Sequence, residues 1–151
     1  MELLIIILGL ILDRVTKLWA LKELSNTSGI VVIKDFFGLF YLENRGAAFG
    51  ILQNKLVFLS IVTFIVMIGI IYYIIKYKPT SKLLRISLAL IISGAIGNLI
   101  DRTYYKYVVD FLTLHYKDVY YFPTFNVADV LVVTGTFLLA IYLIKEDKYG
   151  N

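Results

Sequence analysis

The sequence predicts an all-α polytopic membrane protein with four transmembrane helices and a small β-like element outside the membrane. Composition is the first indication, because 60% of the 151 residues are apolar and the mean hydropathy is +0.81. Soluble domains are usually ~45–50% apolar. Long apolar runs separated by polar segments, and one strongly basic loop, are the other two indications. The length suits one helical bundle, so we expect a single domain over residues 1–151.

Composition also excludes several kinds of site. The chain has no cysteine, which excludes disulfides, thiol nucleophiles and thiolate metal ligands. It has one histidine, so a zinc site would need several carboxylates, and we expect no metal. The net charge of +4 is modest. In a membrane protein a basic balance indicates cytoplasmic loops rather than nucleic-acid binding, so we expect no nucleic-acid partner.

The first predicted span covers about residues 3–20. We expect it to be retained, because the start is acidic and no small-residue cleavage pattern follows. Its ten apolar residues are too few to cross a membrane, so the following Asp13, Arg14 and Lys17 belong to the same helix and face protein. Asp13, Thr16 and Lys17 share one face. Either Asp13 and Lys17 neutralise each other, with Lys17 reaching the interface, or they support a site; both could hold.

The first outer segment covers about residues 25–55. Residues 30–33 and 39–42 have the pattern of short strands, which predicts a small hairpin or curved sheet on the membrane surface. The stretch 43–50 then contains four Gly or Ala residues, which let the backbone approach closely, and Asn44, which offers a donor and an acceptor. A simple turn leading into the next span is the alternative for this stretch, and the residues alone favour it.

The second span covers about residues 56–75 and carries no charge, so we expect it to serve packing and lipid contact. The loop at 76–82 follows. Four of the ten residues from 76 to 85 are basic and none is acidic, which is typical of a cytoplasmic loop. With four spans, both termini are then cytoplasmic, and the segments at 25–55 and 103–125 lie outside.

The third span covers about residues 83–100. The small residues at 93–97 allow another helix to approach closely. The span ends in Asn98, Asp101 and Arg102, which share one face. Asp101 and Arg102 could form a plain interfacial charge pair, but Asn98 on the same face favours an organised polar cluster.

The second outer segment, 103–125, is rich in tyrosine, which favours membrane–water boundaries. We therefore predict an aromatic belt rather than a binding cage, and an interfacial or solvated His115. The fourth span covers about residues 126–144, with Asn126 and Asp129 one turn apart at its start.

The unusual polar residues all fall near one surface of the predicted bundle. They are Asp13, Lys17, Asn44, Asn98, Asp101, Arg102, Asp110, Asn126 and Asp129. A channel would need polar groups through the full depth, so this pattern predicts a one-sided site near the outer face. Without cysteine, and with no serine beside an obvious base, carboxylates remain for the chemistry. Two close aspartates share one proton, and we nominate Asp110 and Asp129.

Five motifs in order resemble those of the lipoprotein signal peptidase (signal peptidase II) family, over nearly the whole chain. They are Asp13-Arg-Val-Thr16-Lys17, Asn44-Arg-Gly46-Ala47-Ala48-Phe49, Gly94-Ala95-Ile-Gly97-Asn98-Leu-Ile-Asp101-Arg102, Val109-Asp110-Phe111 and Phe125-Asn126-Val-Ala128-Asp129. Each motif alone is weak, but their order and spacing are specific. Ser93 stands where the family commonly has a glycine, a small-for-small change.

The resemblance implies a bacterial four-span aspartic endopeptidase of the cytoplasmic membrane. It would remove signal peptides from diacylglyceryl-modified prolipoproteins by cutting just before the lipidated cysteine. Asp110 and Asp129 would be the catalytic pair. The site or substrate contacts would come from Asp13, Lys17, Asn44, Gly46, Asn98, Asp101, Arg102, Asn126 and Ala128. The segment around Asn44 would form a β-like cradle over the site, and the segment between Asp110 and Asn126 would flank it as a second, mobile cover. Membrane lipid would be a partner, and neither a cofactor, a metal nor an oligomer is implied.

Three other interpretations stay open at this point. A small transporter or channel would need polar residues throughout the bundle, which the apolar inner half and the second span argue against. In a non-catalytic membrane scaffold, the aspartates and asparagines would only hold helices together. A presenilin-type aspartyl protease is disfavoured because its Gly-x-Gly-Asp signature is absent.

Overall fold

The computed structural model describes residues 1–46, 52, 54–117 and 119–149, without the side chains of 147–149. Four helices form the bundle: α1 (Glu2–Glu23), α2 (Leu56–Tyr77), α3 (Lys82–Tyr104) and α4 (Val127–Tyr149). Four strands form the sheet: β1 (Ile30–Ile33), β2 (Phe37–Asn44), β3 (Val108–Tyr116) and β4 (Tyr120–Tyr121). The prediction of four helices with a small sheet is confirmed. Each helix reaches a few residues beyond the predicted span.

Three of the helices are long and apolar enough to cross a membrane within the described part of the chain. They are α2, α3 and α4, the last over Val127–Glu146. Helix α1 is not among them, because charged residues interrupt its apolar run. That α1 also crosses the membrane stays a prediction.

Helix α3 is the centre of the bundle, since it packs against α1, α2 and α4. Its small residues make this possible. A Cβ at Gly94 would overlap the carbonyl oxygen of Ala128 on α4, and a Cβ at Gly97 would press on the carboxylate of Asp13 on α1. The predicted small-residue contact is therefore confirmed, and it joins three helices at one level. In α2, whose residues are all described, Met67 is the one buried side chain.

The sheet is antiparallel, in the order β1-β2-β3-β4. The hairpin of β1 and β2 was predicted. Strand β3 was not, because residues 103–125 were interpreted as an outer segment without strands. Its sequence lacks a strict apolar–polar alternation: Val108–Phe111 are all buried, with an aspartate among them. Both faces of β3 are covered by other parts of the protein, and such strands do not show the alternation of a half-exposed strand.

Strand β3 packs on the end of α1. Val109 and Phe111 form a buried cluster with Ala20 and Leu24 of that helix. Successive side chains of a strand point to opposite faces. Because Val109 and Phe111 face α1, the intervening Asp110 faces the other side, toward α3 and α4. The fold thus directs one carboxylate into the bundle.

Candidate active site

Asp110 and Asp129, the aspartate pair, come together in space. Asp110 lies in the middle of β3 and is 1% exposed, while Asp129 lies in the first turn of α4 and is half-buried. Both line one cavity of ≈ 680 Å³ between α2, α3, α4 and the sheet. The structure therefore brings the two aspartates together, as expected. Their catalytic role stays a prediction.

Three asparagine side chains hold the aspartate pair. Asn126 donates to Asp110 Oδ1 (2.7 Å), and Asn44 donates to Asp110 Oδ2 (2.9 Å). Asn98 donates to Asp129 Oδ1 (2.8 Å) and accepts from Asn126 (3.1 Å). Amide groups donate to a carboxylate without adding charge. The two carboxylates are thus joined through a continuous chain of hydrogen bonds.

The start of α4 explains how Asp129 is positioned. The side-chain oxygen of Asn126 accepts the backbone N–H of Asp129 (2.9 Å), and Asp129 Oδ2 accepts the backbone N–H of Asn126 (3.1 Å). This reciprocal arrangement is a capping box, in which each side chain satisfies a backbone donor left free at a helix start. The same two hydrogen bonds therefore cap the start of α4 and hold the Asp129 carboxylate in place.

Two further carboxylates tether the backbone beside the aspartate pair. Asp13 accepts the backbone N–H of Ala128 (3.0 Å), and Asp101 accepts the backbone N–H of Val109 (3.1 Å). Each of these N–H groups lies one residue before a member of the pair. Asp13 and Asp101 are both fully buried, and neither lines the cavity. Their observed contacts are with the framework that carries the pair.

Lys17 lies at the centre of this framework. Its Nζ is 3.0 Å from carboxylate oxygens of Asp13 and Asp101, and it donates to the side-chain oxygen of Asn98 at 3.0 Å. Arg14 pairs with the other oxygen of Asp101. The predicted Asp13–Lys17 pair is thus present, but the expectation that Lys17 reaches the interface is wrong. Its side chain is 0% exposed. The ammonium group can be buried because two carboxylates and an amide oxygen accept its hydrogen bonds within the bundle.

Arg102 does not pair with its neighbour Asp101, so the simple charge-pair alternative is wrong. Consecutive helix residues point about 100° apart. Asp101 faces α1, and Arg102 faces the cavity beside the aspartate pair. Its Nε is buried without a hydrogen-bond partner in the described part of the chain. A cationic donor therefore points at the space in front of the pair.

The remaining predicted residues have smaller roles in the geometry. Gly46 is buried and donates its N–H to the side-chain oxygen of Asn44 (2.9 Å), which orients that amide toward Asp110. The Thr16 hydroxyl donates to carbonyls of its own helix. The motif residues outside the described part of the chain are Ala47, Ala48 and Phe49.

His115 lies away from the cavity lining. It is half-buried, its ring stacks on Tyr121 with centroids 5.1 Å apart, and its Nδ1 contacts the carbonyl of Lys117 (2.9 Å). That His115 is interfacial or solvated stays a prediction. The adjacent aromatic ring covers it.

Two parts of the site were missed at the level of sequence. Arg14 was noted only as a charge, although a charged residue within a predicted span is a functional candidate by default. The other part is residues 122–125, all four of which line the cavity; the resemblance implied that the segment between Asp110 and Asn126 flanks the site, but the residues alone did not indicate it. The interpretation of residues 103–125 as an aromatic belt placed this segment at the membrane–water boundary and gave no reason to expect it at the cavity.

The surroundings of Asp110 set its protonation. Burial and, next to it, the nearby charge of Asp129 together raise the pKa of Asp110 to about 7, against the hydrogen bonds from Asn44 and Asn126. One carboxyl of the pair can therefore hold a proton near neutral pH. Among the described residues, no group of three or more acidic, histidine or cysteine side chains could hold a metal ion.

Comparison with known proteins shows the family of this chain. The family model described as signal peptidase (SPase) II matches residues 5–145. A lipoprotein signal peptidase of Clostridium novyi is 65% identical over 148 residues, 98% of this chain and 100% of the relative. A lipoprotein signal peptidase of Clostridium tetani is 62% identical over 151 residues, which cover 100% of this chain and 97% of the relative. A solved bacterial membrane enzyme at 2.3 Å resolution has a TM-score of 0.88 and 33% identity, over 97% of this chain and 88% of the other. The chain therefore belongs to the signal peptidase II family.

Proposed function

We propose that this protein is an aspartic endopeptidase that removes the signal peptide from diacylglyceryl-modified prolipoproteins, cutting just before the lipidated cysteine. Asp110 and Asp129 are the catalytic pair. The family and the names of the relatives support the reaction and the prolipoprotein substrate. The observation that supports the residues is the shared cavity, into which two carboxylates and Arg102 face from three different elements.

The chemistry requires one proton on the pair. Asp110, the more buried carboxyl with the raised pKa, holds that proton near neutral pH. The other member of the pair, Asp129, takes a proton from water as the water oxygen attacks the scissile carbonyl. Asp110 gives its proton to the carbonyl oxygen. Asp129 then gives the proton that it took from water to the amine nitrogen as the C–N bond breaks. Asp110 takes back a proton from a hydroxyl of the tetrahedral intermediate as the new carboxyl group forms, so the pair returns to its singly protonated state.

Arg102 acts on the substrate rather than on the fold. Its Nε has no protein hydrogen-bond partner within the described residues, although it is buried at the cavity. A buried donor without a partner is costly, so this position favours a ligand that supplies an acceptor. A substrate carbonyl next to the scissile bond provides that acceptor.

The cavity extends away from the aspartate pair along apolar helix faces. Ile91 lies seven residues before Asn98 on α3, which is ~10 Å along the helix, and both line the cavity. Val62 and Val66 of α2 close the opposite wall. This apolar extension suits the membrane-embedded end of a lipidated signal peptide. The catalytic pair lies at its polar end.

The chain is a multi-pass membrane protein of bacteria, and we infer its orientation. All four helices cross the cytoplasmic membrane as a single domain, with both termini cytoplasmic. Helix α1 can do so because its buried charges are paired inside the bundle. The basic stretch around 76–85 favours the cytoplasmic side for the loop between α2 and α3. The sheet and the aspartate pair then lie at the outer face.

A cleavage assay tests the reaction. Purified protein in detergent is given the same prolipoprotein before and after diacylglyceryl transfer, and products are separated by gel shift. Wild type is run beside Asp129→Asn, with thermal unfolding of both. Cleavage of only the lipidated form, lost in the folded variant, supports the proposal. Folded wild type that cuts neither form would contradict it and favour a non-catalytic scaffold.

Labelling tests the orientation. The natural chain has no cysteine, so single substitutions Thr80→Cys and Val119→Cys give clean probes at two exposed positions. A membrane-impermeant maleimide should label Val119→Cys in intact spheroplasts, and Thr80→Cys only after lysis. The reverse pattern would invert the topology.

A further inference from the structure

Residues 122–125 form an open edge of the sheet beside the aspartate pair. The segment pairs with β3 on one side: Phe125 both donates to and accepts from Leu112, at 3.0 and 2.8 Å. The backbone N–H and C=O groups of one strand residue point to one edge of the strand, and those of the next residue point to the other edge. Because Phe125 uses both backbone groups on β3, the backbone N–H and C=O of Thr124 point to the other edge.

That edge has no protein partner in the described part of the chain. Neither the N–H nor the C=O of Thr124 makes a hydrogen bond there, whereas its side-chain hydroxyl contacts that of Thr113 on β3 (3.0 Å). The side-chain contact places Thr124 opposite Thr113, while the backbone pairing of Phe125 with Leu112 holds the segment in register. Thr124 also lines the cavity. A backbone donor and acceptor are therefore held toward the same space as the aspartate pair.

We propose that Thr124 binds the substrate backbone as an added antiparallel strand, and so sets which peptide bond reaches the aspartate pair. This inference rests on the proposed function. Extended peptides bind to open sheet edges through main-chain hydrogen bonds, whatever their side chains. Such a contact suits an enzyme whose substrates share a backbone and a lipid but vary in sequence.

Distance and direction both favour this role. Thr124 precedes Asn126, which contacts both aspartates, by two residues, or ~7 Å of extended chain. A substrate residue paired with Thr124 therefore lies within about two residues of the scissile bond. The segment leads toward α4, which runs into the bundle. A signal peptide emerging from the membrane runs the opposite way, so the pairing is antiparallel, and one substrate residue can take both hydrogen bonds.

The substitution Thr124→Pro removes the backbone N–H, and proline is accepted at the edges of sheets. We expect kcat/KM for the lipidated substrate to fall about tenfold, mainly through KM, because one hydrogen bond is lost. Thr113→Val is the matched control. It removes the same hydroxyl contact but leaves the backbone of Thr124 intact, so its kcat/KM stays within about twofold of wild type.

A second measurement does not depend on the variant's folding. Wild type is given lipidated substrates in which one amide at a time, over the four residues before the cysteine, is replaced by an ester. We expect one position to lower kcat/KM several-fold, because the ester lacks the N–H that donates to the Thr124 carbonyl oxygen. Equal cleavage of all esters, or wild-type kinetics in folded Thr124→Pro, overturns the pairing alone. Folded wild type that fails to cut the all-amide substrate overturns the proposed function, and the pairing with it.

Discussion

Asn126 donates its side-chain N–H to Asp110 at 2.7 Å, while its side-chain oxygen accepts the backbone N–H of Asp129 at 2.9 Å. One amide therefore fixes the separation of a strand carboxylate and a helix carboxylate. The capping box leaves this amide little freedom to rotate. The geometry of the pair depends on how α4 begins, and this links the local fold to the proposed chemistry.

The substitutions Asp110→Asn and Asp129→Asn should each abolish cleavage. Each keeps the shape of the side chain but removes a group that holds or accepts a proton, so we expect a loss of at least about 10³-fold in kcat. Single-turnover cleavage of the lipidated substrate measures it. Thermal unfolding of the same samples checks that each variant is folded, since the new amide replaces one of two acceptor oxygens by a donor and one hydrogen bond is lost. Substantial turnover by either folded variant would remove that residue from the catalytic pair.

The substitution Lys17→Met should destabilise the protein by about 3–5 kcal/mol. Asp13 and Asp101 would lose their shared cation while fully buried, and a buried charge without a partner is costly. Lys22→Met is the matched control on the same helix, since the side chain of Lys22 is 83% exposed; we expect a change under about 0.5 kcal/mol. Reversible unfolding in one detergent compares them. Equal stability of the two variants would show that the Lys17 network contributes little.

The helices and the convergence of polar residues could be predicted because the membrane imposes strong rules on sequence. Long apolar runs mark α2, α3 and α4, and polar residues near them need partners. The β1–β2 hairpin followed from two short apolar runs. The motifs predicted Asp110 and Asp129 as the pair. Their proximity, however, depends on strand β3, which carries Asp110 and was not predicted.

What could not be predicted depends on tertiary contacts. Lys17 has the sequence context of an interfacial lysine, and only the arrival of Asp101 from α3 makes its burial favourable. The direction of Arg102 depends on which face of α3 meets α1. The open edge at Thr124 exists because Phe125 pairs with β3, and no local pattern encodes that pairing.

The substitution Gly94→Ala should destabilise the bundle by about 1–3 kcal/mol. The new methyl group would overlap the carbonyl oxygen of Ala128, a backbone atom that cannot move without shifting α4. Gly69→Ala is the matched control: its Cβ would meet no described atom within 4 Å, and alanine favours helix. Unfolding temperatures of the two variants measure the difference. A loss as large for Gly69→Ala would attribute the effect to glycine itself rather than to the α3–α4 contact.

The pH profile should report the raised pKa of Asp110. Its value of about 7 lies above the ordinary 3.8, so the folded state favours the protonated carboxyl. The contribution to stability is then complete below pH ~4 and is lost as pH rises through about 7. Cleavage should fall over the same alkaline limb, since a fully ionised pair cannot protonate the carbonyl oxygen. Initial rates between pH 5 and 9, with folding checked at each pH, measure this.

The substitution Asn44→Ala should shift the pH profile in one direction, which a general loss of activity would not do. The hydrogen bond from Asn44 stabilises ionised Asp110 and lowers its pKa. Removing that bond should move the alkaline midpoint to higher pH, even if the maximal rate falls. A wild-type rate that stays constant from pH 6 to 9, or a midpoint that moves downward in Asn44→Ala, would show that the proton needed for cleavage does not reside on Asp110.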